Sequence, residues 1–285
     1  AVGYGALKTM EPDAGDSHNT AVGYIAGTAI TTGEGNVALG SHALDALTTG
    51  DNNVAIGVSA MGSANTDESR CVAIGRSALE VMDNGSTANV YNVAIGYNAG
   101  ASLTTATTNI FLGGLVADAL TIGTRNVAIG HSALSGTVED GRNTAIGYNT
   151  LNALNTTTGD PQGSSQSTLN TAVGYNAGAA MTTGTSNTVI GASAGDSLTT
   201  GINNIAIGVS AFTAAVDVDK CVIIGNAAGD AINSADADGT VAIGYAALGA
   251  NDDGRYNTAI GYEALKTNVD GDRNTAVGYQ CLKNM

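Results

Sequence analysis

Histidines, cysteines, turn carboxylates and a row of tyrosines are the side chains from which this 285-residue chain could build a site. His18, His42 and His131 fall in no His-x-x-x-His or Cys/His arrangement, so neither a zinc site nor a Ser-His-Asp triad is expected of them. Cys71, Cys221 and Cys281 lack paired metal-ligand spacing and read as small buried apolar residues. Carboxylates gather at glycine turns, as in Asp252-Asp253-Gly254 and Asp270-Gly271-Asp272, and such turns can hold Ca²⁺. The nearest match to a calcium loop, Asp236-Ala237-Asp238-Gly239, has Ser234 and Tyr245 where the first carboxylate and the closing bidentate Glu are needed. Solvated turns are therefore expected, with no metal and no cofactor. No repeat singles out the carboxylate pair that glycoside cleavage requires, which argues against an enzyme. The strongest surface signal is Tyr one residue after a recurring Gly, at Tyr4, Tyr24, Tyr97, Tyr148, Tyr175, Tyr245, Tyr262 and Tyr279. Tyr245, Tyr262 and Tyr279 occupy three consecutive repeats. Such a row can stack on the sugar rings of a glycan, or form a purely structural ladder between stacked strands.

The element that must position these side chains is a repeat. A phrase of the form Asn-Thr-Ala-Val-Gly-Tyr, as at residues 274–279, returns sixteen times, and ten of the fifteen intervals between its glycines are 17 residues. A register kept this closely means one structural unit per repeat, stacked on the last. Counting from the phrase Gly as zero, position −1 is aliphatic in all sixteen repeats, and −3 is Val, Ile or Thr in the fifteen that show it. Position −2 is Ala in thirteen, the exceptions being Phe111, Val189 and Ile223. Alternation with β-branched residues marks a short strand. Its bulky −1/−3 face is expected in the core, and its flat Ala face is expected outside, where small residues let identical solenoids approach laterally. Asn at −4 in twelve of fifteen repeats predicts a stacked amide ladder that pins the register.

After the phrase come Ala at +3, an apolar residue at +7 and often Thr-Thr-Gly, which together predict a second strand over +3 to +9 and a turn back to the next Asn. The expected fold is all-β: a parallel β-solenoid, or β-roll, of about sixteen 17-residue coils forming a single repeat domain over residues 1–285. The longest interval predicts an extruded loop over 155–168, where specificity can sit on a rigid scaffold. The chain begins inside a repeat, at Ala1-Val2-Gly3-Tyr4, which predicts a fragment of a longer fibre.

Ten basic against 25 acidic residues give a net charge of −15, so nucleic acid and anionic membrane surfaces are disfavoured partners. No apolar run approaches the ~20 residues of a membrane span, so membrane insertion is not expected. Two or three large aliphatic residues per coil make a thin interior, which favours an oligomer, and a cyclic arrangement closes off the exposed face.

Phrases such as Asn92-Val93-Ala94-Ile95-Gly96 and Asn126-Val127-Ala128-Ile129-Gly130 resemble the head repeats of trimeric autotransporter adhesins. The Asn-Thr-Ala-Val-Gly-Tyr form with Thr-Thr-Gly turns is more similar still to repeats of bacteriophage tail-fibre proteins. The resemblance covers nearly the whole chain and implies a left-handed roll, a homotrimer and an extracellular location on a virion or a cell surface. It implies a structural fibre shaft or head for attachment and host recognition. The alternative it implies is a bacterial surface adhesin head that binds matrix or a host-surface glycan. The Thr-Thr pairs suggest an ice-binding solenoid as a third class, although they are missing from the repeats around Gly75 and Gly225.

Overall fold

The computed structural model describes the chain except for residues 11–16, 65–66, 84–88, 157–165, 235–236 and 285. The described chain forms two compact units, one over Ala1–Gly141 and one over Arg142–Thr156 and Ser167–Met285. Each is a parallel β-solenoid with one three-residue strand per phrase. The first unit holds β1 (Thr20–Val22), β2 (Val37–Leu39), β3 (Val54–Ile56), β4 (Val72–Ile74), β5 (Val93–Ile95), β6 (Ile110–Leu112) and β7 (Val127–Ile129) in spatial order. Two-residue strands β8 (Asp140–Gly141) and β10 (Gln166–Ser167) stand apart from the phrase strands. The second unit holds β9 (Thr144–Ile146), β11 (Thr171–Val173), β12 (Thr188–Ile190), β13 (Ile205–Ile207), β14 (Val222–Ile224), β15 (Val241–Ile243), β16 (Thr258–Ile260) and β17 (Thr275–Val277), again in order. The first phrase adds a parallel bridge, Val2 with Val22.

Phrase pairs with phrase throughout each unit: Ala21 lies beside Ala38, and Ala259 beside Ala276. Lengthened intervals keep this register, since Val54 pairs with Val72, Val72 with Val93, Thr144 with Thr171 and Val222 with Val241. In those coils the +7 residues Ala64, Met82, Leu154 and Ile232 are buried as usual. Of the expected loop 155–168, residues 157–165 fall outside those described. Thr168, at its end, is buried and donates from Oγ1 to Asn143 Oδ1 at 2.8 Å.

The strand faces are the reverse of the sequence expectation. Every phrase strand buries its central residue and turns its outer two toward solvent, as in Val54-Ala55-Ile56. Ala21, Ala55, Ala128 and Ala206 are 0% exposed, whereas Leu39 and Leu112 at −1 are each 44% exposed. The reason is the width of the coil. The facing wall already fills the interior with +4 and +7 side chains, among them Leu44, Leu47, Met61, Leu79 and Leu103, so the strand can contribute only a small residue. The exceptions obey the same rule. Phe111, Val189 and Ile223 each lie against a +4 position that is Gly, with a notional Cβ on Gly100 3.0 Å from Phe111, one on Gly195 3.4 Å from Val189, and one on Gly229 3.2 Å from Ile223.

A second correction concerns +3 to +9, where no strand forms among the described residues. The chain makes a run of turns in which +2 and +4 are left-handed, as at Ser59 (φ 56°) and Met61 (φ 48°). A non-Gly residue in that region costs about 1–2 kcal/mol. Inter-coil hydrogen bonds offset it: Ser59 N–H donates to Ser41 O at 3.0 Å and Met61 N–H to Ala78 O at 2.9 Å, so one points to the preceding coil and the other to the following one.

The Asn column forms the expected ladder. Asn36 Nδ2 donates to Gly50 O at 2.8 Å, while Asn36 Oδ1 accepts from the backbone N–H of Asn53 at 2.9 Å and from its Nδ2 at 3.1 Å. The second unit repeats this at Asn170 and Asn187. Buried amides satisfied at both ends fix the register, because a slip of one residue would leave them unpaired in the interior. Cys71, Cys221 and Thr240 interrupt the column, and the Thr240 hydroxyl is buried without a hydrogen-bond partner.

Candidate functional site

Each unit carries an outward pair of strand columns. Val22, Leu39, Leu112, Ile190 and Ile260 at −1, with Ile110 and Ile205 at −3, are exposed large hydrophobics. None of the −1 or −3 positions carries a charge, although the chain has 25 acidic and ten basic residues. Each unit thus presents an uncharged strand face, aliphatic at −1 and Val, Ile or Thr at −3. The expectation that the Ala columns meet a neighbouring chain is thus overturned, since those columns are sealed inside.

Tyr residues at +1 form three ladders, each within one unit. Ring centroids are 5.6 Å apart for Tyr4 and Tyr24, 5.4 Å for Tyr148 and Tyr175, 5.1 Å for Tyr245 and Tyr262, and 5.4 Å for Tyr262 and Tyr279. Interplanar angles of 10–14° make all four pairs stacked. Tyr245, Tyr262 and Tyr279 are 48%, 44% and 73% exposed. Their ring faces turn toward one another, so a sugar would meet the ring edges and the outer face of Tyr279. Tyr91 and Tyr256, at −5, instead lie under Arg70 and Arg273, at 5.7 and 6.0 Å. Sequence reading gave −5 no role, yet it is left-handed in coil after coil, as at Arg70 (φ 62°) and Tyr256 (φ 53°). Its side chains are too varied to mark the column in the sequence.

Beside the last Tyr ladder, Glu263 accepts hydrogen bonds from Lys266 Nζ at 2.6 Å, Lys283 Nζ at 2.5 Å and Gln280 Nε2 at 2.9 Å. The bonds from Lys266, Lys283 and Gln280 hold its carboxyl down to about 2. A folded carboxyl below its ordinary 4.5 stabilises the fold above that pH and loses the contribution as pH falls toward 2. The melting temperature of the wild-type protein should therefore exceed that of Glu263→Gln at neutral pH, with the gap closing on acidification. A gap independent of pH would contradict the clamp.

Other titratable groups serve the scaffold. Burial raises the carboxyls of Asp118, Asp196 and Asp230 at +5. Turn carboxylates cap backbone amides: Asp272 Oδ1 accepts from Arg255 N–H at 2.8 Å, and Asp238 Oδ1 from Asp219 N–H at 2.7 Å. Asp236 lies outside the described residues, and among those described no group of three His, Cys, Asp or Glu side chains is placed to hold a metal ion. His42 Nδ1 contacts Asp45 Oδ2 at 2.8 Å, and His131 Nδ1 contacts its chain neighbour Ser132 Oγ at 2.8 Å. No helix among the described residues is long and apolar enough to cross a membrane.

Cys71 and Cys221 are free and buried, and burial pushes both thiols up to about 12 from 9.0. That leaves on the order of a thousandth of the ordinary thiolate at neutral pH. Thiol reagents are expected to modify Cys281 in the folded protein and to reach Cys71 and Cys221 only on unfolding. Three fast-reacting thiols per chain would contradict this.

Compared with protein-family models, with curated proteins and with solved structures, the chain matches none.

Proposed function

We propose that this chain is a structural fibre element, a β-solenoid that associates side by side with identical copies as a homotrimer. It serves as the shaft or head of an extracellular attachment device on a virion or a cell surface. One observation carries this reading: an uncharged aliphatic surface built into every coil, on a scaffold whose interior is already full. Coils are too thin to cover that surface from within, and a second copy supplies the same columns at the same spacing. A three-fold axis gives each chain two neighbours. The net charge of −15, carried elsewhere, keeps such an assembly soluble and disfavours nucleic acid as a partner. Mass measurement in solution tests the reading, with three times the 28.1 kDa chain as the expected result. A stable monomer at all concentrations would overturn it.

The exposed Tyr ladders favour a second reading, an adhesin head that contacts matrix or host glycan directly. Replacing Tyr245, Tyr262 and Tyr279 together by Ala should then reduce binding to host cells or glycan arrays without dissociating the assembly. Unchanged binding would leave the rings as a structural ladder.

A further inference from the structure

We propose that the stacked tyrosines are sites of oxidative coupling, at which a one-electron oxidant joins neighbouring coils through dityrosine. Seven of the ten tyrosines lie in the three ladders, with stacked centroids 5.1–5.6 Å apart, and all seven are 44–75% exposed. The backbone beneath each pair is fixed. Ile25 N–H donates to Tyr4 O at 2.8 Å, Asn176 N–H to Tyr148 O at 3.0 Å, Glu263 N–H to Tyr245 O at 2.8 Å and Gln280 N–H to Tyr262 O at 2.8 Å. Partners are thus held permanently within reach while an oxidant in solvent can touch both.

The chemistry needs no catalytic side chain. An oxidant of the peroxidase class, working with hydrogen peroxide, removes one electron and one proton from each of two phenols. The two phenoxyl radicals carry spin on the ring carbons ortho to oxygen, and a carbon–carbon bond forms between one such carbon on each ring. The two ortho hydrogens then move to the oxygens through solvent, which restores both phenols. The net loss is two electrons and two protons, which convert one peroxide to two waters. Rings this exposed change rotamer in picoseconds to nanoseconds, so a stacked pair can swing edge to edge while its radicals persist. Prearranged neighbours couple far faster than partners that must meet by diffusion.

The arrangement also limits the products. In the ladder of three, Tyr262 can join Tyr245, Tyr279 or, through its two ortho carbons and a second round of oxidation, both, so the four stacked pairs set the maximum of four links per chain. A link between Tyr148 and Tyr175 would close the longest interval of the repeat and restrict the unfolded chain as other cross-links do. Tyr91 and Tyr256 face arginines, and Tyr97 has Arg76 and Gly114 at the matching position of the coils before and after it. These three tyrosines are internal controls.

The test is to oxidise dilute folded protein with a haem peroxidase and hydrogen peroxide, and to map cross-linked peptides by mass spectrometry alongside dityrosine fluorescence. Mixing isotopically light and heavy chains before assembly separates links within a chain from links between chains. Coupling within the ladder pairs, inside one isotope, should exceed that at Tyr91, Tyr97 and Tyr256 by at least about tenfold. Tyr175→Phe keeps a stacking ring and should abolish the link to Tyr148 alone, whereas Arg76→Tyr should add one to Tyr97. Equal coupling at the lone tyrosines, links chiefly between chains, or no response to either substitution would overturn the proposal.

Discussion

Gly57→Ala is expected to destabilise the first unit by about 3–5 kcal/mol, more than any conservative change on the surface of the coil. Gly57 has φ 136°, and a Cβ there would stand 2.5 Å from the carbonyl oxygen of Gly75 and 2.6 Å from its carbonyl carbon. Both obstacles are backbone, so no side chain can move aside. Relief requires the coils to part at a seam where Gly57 N–H donates to Leu39 O at 2.8 Å and Gly75 N–H to Ile56 O at 2.7 Å. Solenoid stability is a sum of interfaces between neighbours, so the damage should appear as a new, lower unfolding transition or as proteolysis beside Gly57, with other coils retained. Gly114→Ala is the control: a Cβ there meets only the His131 ring at 3.6 Å, and its effect should stay within about 0.5 kcal/mol. Equal melting of Gly57→Ala and wild type would show that coils do not pack through this glycine.

The phrase glycine was legible because it never varies, and the Asn ladder because twelve of its fifteen members are identical. The strand faces were misread because bulk alone does not decide which side of a three-residue strand is inside. A usable signal was present. Position −3 admits Thr in six repeats, including Thr20, Thr144 and Thr275, whereas −2 departs from Ala only toward Phe111, Val189 and Ile223. A column that grows but never becomes polar is interior, and one that accepts a hydroxyl faces out. The turns after the phrase were misread for a different reason. Their left-handed +2 and +4 positions are held by Leu, Met, Ser and Asn far more often than by Gly, because hydrogen bonds to neighbouring coils impose the conformation. Local propensity carries little trace of a constraint supplied by the next repeat. The Tyr ladders could be located by position, but their closed ring faces follow from stacking geometry that a sequence does not print.

Leu112→Glu and Ala128→Glu should fail in opposite ways, and the contrast decides which strand face meets a neighbouring chain. The residues lie on adjacent strands, where Phe111 pairs with Ala128 and Leu112 with Ile129. Leu112 is 44% exposed and Ala128 is 0% exposed. A carboxylate at 112 stays hydrated in the single chain but is buried unpaired in an assembly closed through the aliphatic columns. A cyclic oligomer repeats that burial at every interface, so association should weaken on the order of 100-fold or more. A carboxylate at 128 enters the coil itself, where no basic partner exists among Leu, Ala and Phe side chains, and several kcal/mol of folding stability should be lost. Melting against protein concentration separates the two. Under the proposed homotrimer, wild-type melting should rise with concentration. Leu112→Glu should melt at a concentration-independent temperature with the strand signal intact, and Ala128→Glu should lose the strand signal at any concentration. The reverse outcome, with Ala128→Glu folded but dissociated and Leu112→Glu still assembled, would return the interface to the alanine face and exclude the packing described for these coils.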